Sequence, residues 1–140
     1  MKLLKTILII ILPMVFISCS QDESESDDFA ALKFDKNSTL KINQCIDIAE
    51  TDYSLCFDAV SDSRCPADVV CVWEGNAAAS FILKSATGNV PFTLNTFRNF
   101  TQDTIINNLK IELIGVLPYP LHSKSTNQSE YVAEIKISKK

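Results

Sequence analysis

The sequence predicts an all-β domain, either a single antiparallel β-sandwich or an open barrel of about seven strands. The first observation is the regular alternation of apolar and polar side chains in residues 109–117 and 131–137. Alternation at a period of two gives a strand one buried and one solvated face, as is typical of antiparallel sheets. The second is that turn-forming residues separate these and other short apolar runs, a spacing typical of sandwiches and barrels.

The other elements follow from the same patterns. The segment 86–89 reads Ala-Thr-Gly-Asn between two apolar runs and predicts the turn of a β-hairpin. Residues 103–108 are compatible with a helical turn, which Asn107 and Asn108 would end early. The remaining predicted strands are residues 40–48, 53–60, 77–83 and 90–96.

The N-terminus resembles a lipoprotein signal peptide. A short basic segment is followed by residues 6–17, which are almost wholly apolar but too few for the roughly 20 residues of a membrane-spanning helix. Phe16-Ile17-Ser18-Cys19 resembles a lipobox, in which a small residue precedes an obligatory cysteine. We therefore expect residues 1–18 to be a signal peptide and Cys19 to be lipidated. Several acyl chains on this one residue would anchor the protein stably in a membrane. The alternative is an ordinary signal peptide that leaves Cys19 as a free thiol.

Residues 19–28 are polar and acidic and predict a disordered tether, because they carry no apolar surface to bury. Gln21-Asp22-Glu23 resembles the acidic export signal of Bacteroidota lipoproteins, which directs them to the outer face of the outer membrane. The predicted location is thus the outer membrane, with the domain displayed on the surface or, alternatively, on the periplasmic face. Residues 29–140 would form the all-β domain.

The charge balance argues against a nucleic-acid partner. Removing Lys2 and Lys5 with the signal peptide leaves 11 basic residues against 17 acidic ones. A chain with that excess of negative charge would be repelled by phosphate backbones and by anionic lipid surfaces.

The cysteine count predicts two disulfides. Five cysteines are present, and lipidation of Cys19 leaves four that can pair in three ways. Cys45 and Cys56 lie on consecutive predicted strands, and Cys65 and Cys71 enclose a short loop, so we expect the pairs Cys45–Cys56 and Cys65–Cys71. The spacing lacks the close Cys-x₂₋₄-Cys pairs of zinc sites, so no metal is expected.

The segment from Asp62 to Ala77 reads DSRCPADVVCVWEGNA and is the most individual part of the chain. It resembles the DSRCPxxVxCxWxGxA signature of a family of small uncharacterised bacterial lipoproteins and secreted proteins, with a weaker likeness over residues 40–137. The resemblance implies a small all-β domain with a disulfide in the motif loop, and it implies no activity. Glu74 departs from the small residue usual at its position, and Cys45 and Cys56 are additional to the motif.

The motif has a structural and a functional interpretation. Structurally, Trp73 would cover the disulfide or one end of the core, Gly75 would allow a bulge or a positive φ before the next strand, and Arg64 would pair with Asp62, Asp68 or Glu74. Functionally, a rigid loop loses little entropy when it binds a ligand or a protein. The candidate binding loop consists of Arg64, Pro66, Asp68, Val69, Val70, Trp73 and Glu74.

Few residues suggest catalysis. His122 is the only histidine and lies in a polar segment, and no cofactor-binding motif is present, so no cofactor is expected. The spacing of the acidic residues near the motif matches no metal-binding loop. Thr104 follows an aspartate and precedes an isoleucine, which resembles an O-glycosylation site of exported Bacteroidota proteins.

These observations predict a non-enzymatic, membrane-anchored envelope lipoprotein that acts as a binding module. Its partners would be the membrane, through the lipid anchor, and an envelope or extracellular protein or glycan. One alternative is a secreted inhibitor of hydrolases or proteases that uses the Cys65–Cys71 loop. A less favoured one is a hydrolase that uses the carboxylates Asp58, Asp62, Asp68 and Glu74.

Overall fold

A computed structural model describes residues 31–140, so the predicted signal peptide, Cys19 and the acidic tether lie outside the described residues. The described chain forms eight strands and one short 3₁₀ helix, Gln128–Glu130. The strands are β1 (Asn37–Lys41), β2 (Cys45–Asp47), β3 (Ser54–Asp62), β4 (Ala77–Ser85), β5 (Gly88–Asn95), β6 (Asp103–Ile106), β7 (Leu109–Leu117) and β8 (Val132–Lys139).

Two four-stranded antiparallel sheets pack face to face, in the orders β1-β8-β7-β6 and β2-β3-β4-β5. The sheets do not close into a barrel, so the predicted all-β antiparallel sandwich is confirmed, with eight strands in place of about seven. The β4–β5 hairpin turns at the predicted position. Within residues 31–140, no helix is long and apolar enough to cross a membrane.

The segment 40–48 was expected to form one strand, and this expectation is wrong. The chain makes a turn at residues 42–44, where Asn43 has a φ of 62°. β1 before the turn pairs with β8, whereas β2 after it pairs with β3 in the other sheet. The amide of Asn43 donates to the carbonyl of Phe57 at 2.8 Å, which fixes the point where the chain changes sheets.

Residues 103–108 do not form a helical turn, which corrects the second expectation. Residues 103–106 form the edge strand β6, paired with β7. Asn107 and Asn108 make the connection with φ values of 51° and 64°, a region that asparagine tolerates better than most residues. Two consecutive residues with positive φ are typical of a type I′ hairpin turn.

Two β-bulges interrupt the alternation of buried and exposed residues. In β3 the register shifts between Phe57 and Ala59, so Phe57 and Val60 both face the core. In β7 it shifts between Leu113 and Gly115, and Ile114 is exposed. A bulge inserts one extra residue and so reverses the inward phase beyond it. Each bulge therefore re-aims the last residues of its strand, next to the loops described below.

The core lies between the sheets and is aliphatic and aromatic. Phe57, Phe81 and Phe92 are cross-strand neighbours on β3, β4 and β5, with ring centroids 5.1 and 5.6 Å apart. Cross-strand aromatic pairs of this kind stabilise a sheet beyond the area that they bury. Phe92 is partly buried, whereas the fully buried core side chains are Phe57, Phe81, Leu40, Ile48, Leu55, Leu83, Leu94, Ile111, Ile135 and Ile137.

The sandwich has two distinct ends. At the entry end, where residue 31 leads in, Leu32 forms a bridge to Ile48 and donates its amide to Asp47, which is paired with Ser54 at the start of β3. At the loop end, β3 finishes and the connections 63–76, 96–102 and 118–131 meet. The nine residues of β3 separate the two ends by about 26 Å.

Candidate interaction site at the loop end

The β3–β4 connection carries the motif and is closed by a disulfide. The predicted pairs Cys45–Cys56 and Cys65–Cys71 are both formed. Cys45 and Cys56 lie opposite each other on β2 and β3, as expected for a cross-strand pair. In the connection, the amide of Cys65 donates to the carbonyl of Glu74 at 2.9 Å, which prolongs the hairpin beyond the strands. Residues 66–73 therefore project from a hydrogen-bonded pair of chain segments.

Gly75 is required where these two segments pair. Its φ is +75°, as expected from the sequence, and a Cβ built on it would lie 2.6 Å from the Cα of Arg64 and still closer to the carbonyl oxygen of Ser63. No larger residue fits without moving the backbone. Gly75 thus lets the two limbs of the connection pack directly against each other.

Arg64 joins the β3–β4 connection to the end of β7. Its Nε and Nη2 donate to the two carboxylate oxygens of Asp62, at 2.9 and 2.6 Å. Nη1 donates to the carbonyl of Val116 at 2.6 Å, and Nη2 also donates to that of Pro118 at 2.9 Å. The guanidinium lies 4.6 Å from the ring centre of Tyr119. A planar group with several fixed donors is suited to such a multiple contact.

Arg64, which the sequence analysis placed in the candidate binding loop, therefore has a structural role in this domain. The side chains of Arg64 and Asp62 are only 6% and 5% exposed. Of the three carboxylates considered as its partner, Asp62 is the one that it pairs with. The guanidinium makes four hydrogen bonds within the domain, and its charge is balanced by Asp62, so the arginine holds the loops together.

The environment keeps Asp62 ionised. Burial raises the pKa of its carboxyl, but hydrogen bonds from Arg64, the arginine charge and the Tyr131 hydroxyl outweigh burial and hold the pKa below its ordinary value. Burial and the Asp62 charge raise the pKa of Tyr131, which stays a donor at 3.2 Å from the carboxylate. A carboxylate held in this way has no proton to donate at neutral pH.

Asp68 ties the disulfide loop to the β7–β8 connection. Its carboxylate accepts the backbone amides of His122 at 2.6 Å and Ser123 at 3.3 Å. These hydrogen bonds, led by that of His122, lower the pKa of Asp68, which is therefore charged at neutral pH. The amide of Ala67 also donates to the carbonyl of Pro120 at 2.9 Å. Part of the predicted binding loop thus serves to hold its own backbone.

Trp73 was expected to cover the disulfide or the end of the core, and the structure shows that it does not lie in the core. Its side chain is 53% exposed. It stands edge-on to Phe97 with ring centroids 5.6 Å apart, and Phe97 in turn contacts Phe100 at 5.3 Å. An aromatic ladder therefore crosses from the β3–β4 connection to the β5–β6 connection at the surface.

The loop end exposes a concentration of apolar side chains, here called the loop-end patch. Val70 and Val72 are fully exposed on either side of Cys71. Exposed apolar patches of this kind mark interaction sites in soluble domains. The patch consists of Val69, Val70, Val72, Trp73, Phe100, Leu117, Tyr119 and Leu121.

A shallow cleft of about 500 Å³ adjoins the patch. Its floor includes Gly115, above which the space for a side chain is empty. The aromatic residues Phe97 and Tyr119 line the cleft. The charged residues Glu74, Arg98 and Glu134 also line it. Pro66, the remaining member of the predicted loop, lines a separate groove beside the disulfide.

Sequence reasoning missed three polar residues that organise this end. The side-chain amide of Gln128 donates to the carbonyl of Val60 at 2.7 Å and accepts its amide at 3.2 Å, replacing a neighbouring strand where β2 has ended. Buried Asn76 donates to the Asn95 side chain at 2.9 Å and accepts the amide of Phe97 at 3.0 Å. Tyr131 is the third, through its bond to Asp62. No local pattern in the sequence identifies these residues, because each of their contacts joins segments that are distant in the chain.

The other predicted positions lie apart from the patch. Thr104 is partly exposed on the edge strand β6, beside the ion pair of Asp103 and Lys110. Among residues 31–140, no group of three or more histidine, cysteine, aspartate or glutamate side chains is placed to hold a metal ion. Asp58 is exposed at the β3 bulge, away from the loops.

The loop end therefore combines a disulfide-closed loop, a buried ion pair that locks it, and an exposed apolar patch beside a charged cleft.

Comparisons of the chain with protein-family models, with curated proteins and with solved structures found no match, so the motif resemblance stays a prediction.

Proposed function

We propose that this chain is an envelope lipoprotein, anchored to the outer membrane through Cys19, that acts as a non-catalytic binding module. The observation that carries the proposal is the placement of two features at opposite ends of the sandwich. Residue 31, which follows the tether, enters beside the start of β3, and the loop-end patch lies beyond the end of β3, about 26 Å away. An anchor at one end would allow the patch to face away from the membrane.

The internal bonding of the loop end supports a binding role over a catalytic one. The carboxylates of the motif that could take part in chemistry are engaged in structure: buried Asp62 with Arg64, and exposed Asp68 with two backbone amides. What the loops leave exposed is apolar surface, which is suited to binding by exclusion of water. In the described domain, the groups best placed to contact another molecule are thus hydrophobic.

The anchor is tested in cells that make the full chain or its Cys19→Ala variant. The full chain is expected in the outer-membrane fraction and labelled by a fatty-acid analogue, and the variant is expected to be soluble and unlabelled. Protease added to intact cells distinguishes surface display, which predicts digestion, from the periplasmic face, which predicts protection. An unlabelled full chain, or a Cys19→Ala variant that still carries the label, would refute lipid anchoring at this residue.

Binding is tested by placing a photo-crosslinking amino acid at Val72, in the patch, or at Val90, which is exposed on β5 towards the entry end. The two positions are matched because both are surface valines. We expect an adduct from Val72 and none from Val90 in cells that make the anchored protein. Adducts from neither position, or from Val90 alone, would refute binding through the loop end.

A second candidate is an inhibitor of proteases, and full exposure of Val70 between Pro66 and Cys71 favours it. A side chain that projects from a disulfide-closed loop can enter the specificity pocket of a protease. Replacing Val69 and Val70 by glycine should then abolish inhibition in a screen of secreted proteases. No inhibition by the unmodified protein would dismiss this function.

A further inference from the structure

We propose that the loop-end patch docks a protein surface that is apolar at its centre and carries lysine or arginine at its margin. This inference rests on the proposed function and specifies its partner. It is argued from the size of the patch, from its composition and from the charges around it.

The patch has the size of one side of a protein interface. Scaling ordinary whole-residue areas by the exposed fractions of its eight members gives on the order of 900 Å², and one partner contributes about 800 Å² to a standard interface. The loops that carry it are already braced by the Cys65–Cys71 disulfide and by Arg64. Little conformational entropy remains to be lost on docking, so buried area translates into affinity more fully than on mobile loops.

The composition favours a protein over a glycan. Val70, Val72, Leu117 and Leu121 are branched aliphatic side chains with no hydrogen-bonding group, so a polar sugar would gain little from covering them. Trp73 and Tyr119 add the aromatic residues that are enriched at the energetic centre of protein interfaces. Aliphatic and aromatic surface together is what an apolar protein surface complements.

The charges argue against insertion into a lipid surface. The ionised carboxylate of Asp68 is next to Val69 in the chain, and Glu74 directly follows Trp73, so inserting the loop would bring negative charge to the headgroups. Anionic lipids would repel both groups, and burial of either in the bilayer would carry a large desolvation cost.

The same carboxylates indicate which charge the partner should carry at the edge of its docking surface. Arg64 is neutralised by Asp62, and Lys124 is paired with Glu130 at 3.3 Å. Within residues 31–140, Glu74, Glu134 and Arg98 form no ion pair with one another or with other side chains. With Asp68, this leaves three carboxylates against one guanidinium around the cleft and the patch. Complementary charge on a partner is therefore basic, and such rim charges mainly steer association and select partners.

The experiment uses the full anchored chain with the photo-crosslinking residue at Val72. We expect a protease-sensitive adduct whose cross-linked peptide maps to an apolar surface with lysine or arginine around it. Charge reversal by Glu74→Lys should lower the adduct yield at least tenfold. Asp52→Lys reverses an exposed charge at the entry end and is the matched control, which should leave the yield unchanged.

An adduct with lipid or polysaccharide would overturn the inference, as would a polypeptide whose cross-linked surface is acidic. A yield that Glu74→Lys leaves unchanged would also overturn it. Each of these results retains an adduct at Val72 and leaves the proposed binding function standing, whereas the absence of any adduct refutes both. Equal unfolding midpoints and intact disulfides in the Glu74→Lys and Asp52→Lys proteins exclude misfolding as the cause of a lost adduct.

Discussion

Replacing Arg64 by methionine is expected to destabilise the domain strongly while leaving its fold intact. Methionine retains much of the apolar stem but removes the charge and all the donors. The Asp62 carboxylate, 5% exposed, would then be buried without its cation. The carbonyls of Val116 and Pro118 would lose their donors as well.

The magnitude follows from these losses. Breaking a buried ion pair by removing one partner costs about 3–5 kcal/mol, to which the unpaired carbonyls contribute part. For a domain of this size, where 1 kcal/mol corresponds to about 4 °C, the melting temperature should fall by about 12–20 °C. Adding Asp62→Asn to Arg64→Met should recover part of the loss, because the uncompensated charge is removed.

The assay is urea denaturation at pH 7 without reductant, followed by tryptophan fluorescence and circular dichroism, with calorimetry for the melting temperature. Lys139→Met is the matched control, because Lys139 pairs with Glu50 at 2.8 Å on the open surface and lies over the Phe34 ring, and loss of both exposed contacts should cost only about 1 kcal/mol. An Arg64→Met protein within about 1 kcal/mol of the parent would refute the argument that this pair is buried and structural.

Three further predictions concern the same end of the domain. Because the folded-state pKa of Asp62 is lowered, its ionisation contributes stability that is present above the unfolded-state pKa of about 4 and is lost as the pH falls through the folded-state value. The free energy of unfolding should therefore fall less steeply with decreasing pH in Asp62→Asn than in the parent protein. Equal slopes for the two proteins would contradict the lowered pKa. Gly75→Ala should lower the free energy of unfolding by at least about 2 kcal/mol because of its positive φ and the clash with the preceding limb, whereas Gly115→Ala, with open space around the new Cβ, should be nearly neutral in the same denaturation assay. Replacing Cys65 and Cys71 by serine should cost about 2 kcal/mol and expose the peptide between them to limited proteolysis, and a loop that stays resistant would show that the disulfide is dispensable for its order.

The patterns that predicted the fold are local and physically simple. The alternation in β7 and β8 reflects one buried and one solvated face, and it held in the structure except where a bulge reversed it. The turn between β4 and β5 was identified from its own residues, because the two strands of a hairpin are adjacent in the sequence and the turn between them sets their pairing. The disulfide of Cys45 and Cys56 followed in the same way, from two strands joined by a turn.

The errors share a cause. Residues 40–48 alternate as one strand would, yet Asn43 turns the chain from one sheet to the other, because the two halves find different partners in β8 and β3. Residues 103–106 carry too short a pattern to identify, and pairing with β7 makes them a strand. Tertiary partners decide the state of a short segment whose own preference is weak.

In the motif loop, the sequence predicted local contacts better than it predicted which side chains are exposed. The disulfide, the positive φ of Gly75 and the ion pair of Arg64 with Asp62 are all formed as expected. The expectation that Trp73 covers the end of the core is wrong, because the residue is exposed, and the sequence did not predict the burial of Arg64. Arg64 can be buried only because Asp62 and two carbonyls of a distant connection meet it there.

By itself, the sequence determined the all-β class, the pairing of the four cysteines in the domain and the loop on which to concentrate, because each depends on periodicity or on short-range chain closure. Only the tertiary structure decided which side chains at that loop face solvent, and that the patch lies at the opposite end of the sandwich from residue 31. Exposure depends on contacts between residues far apart in the chain, as between Arg64 and Val116, and such contacts leave no local pattern.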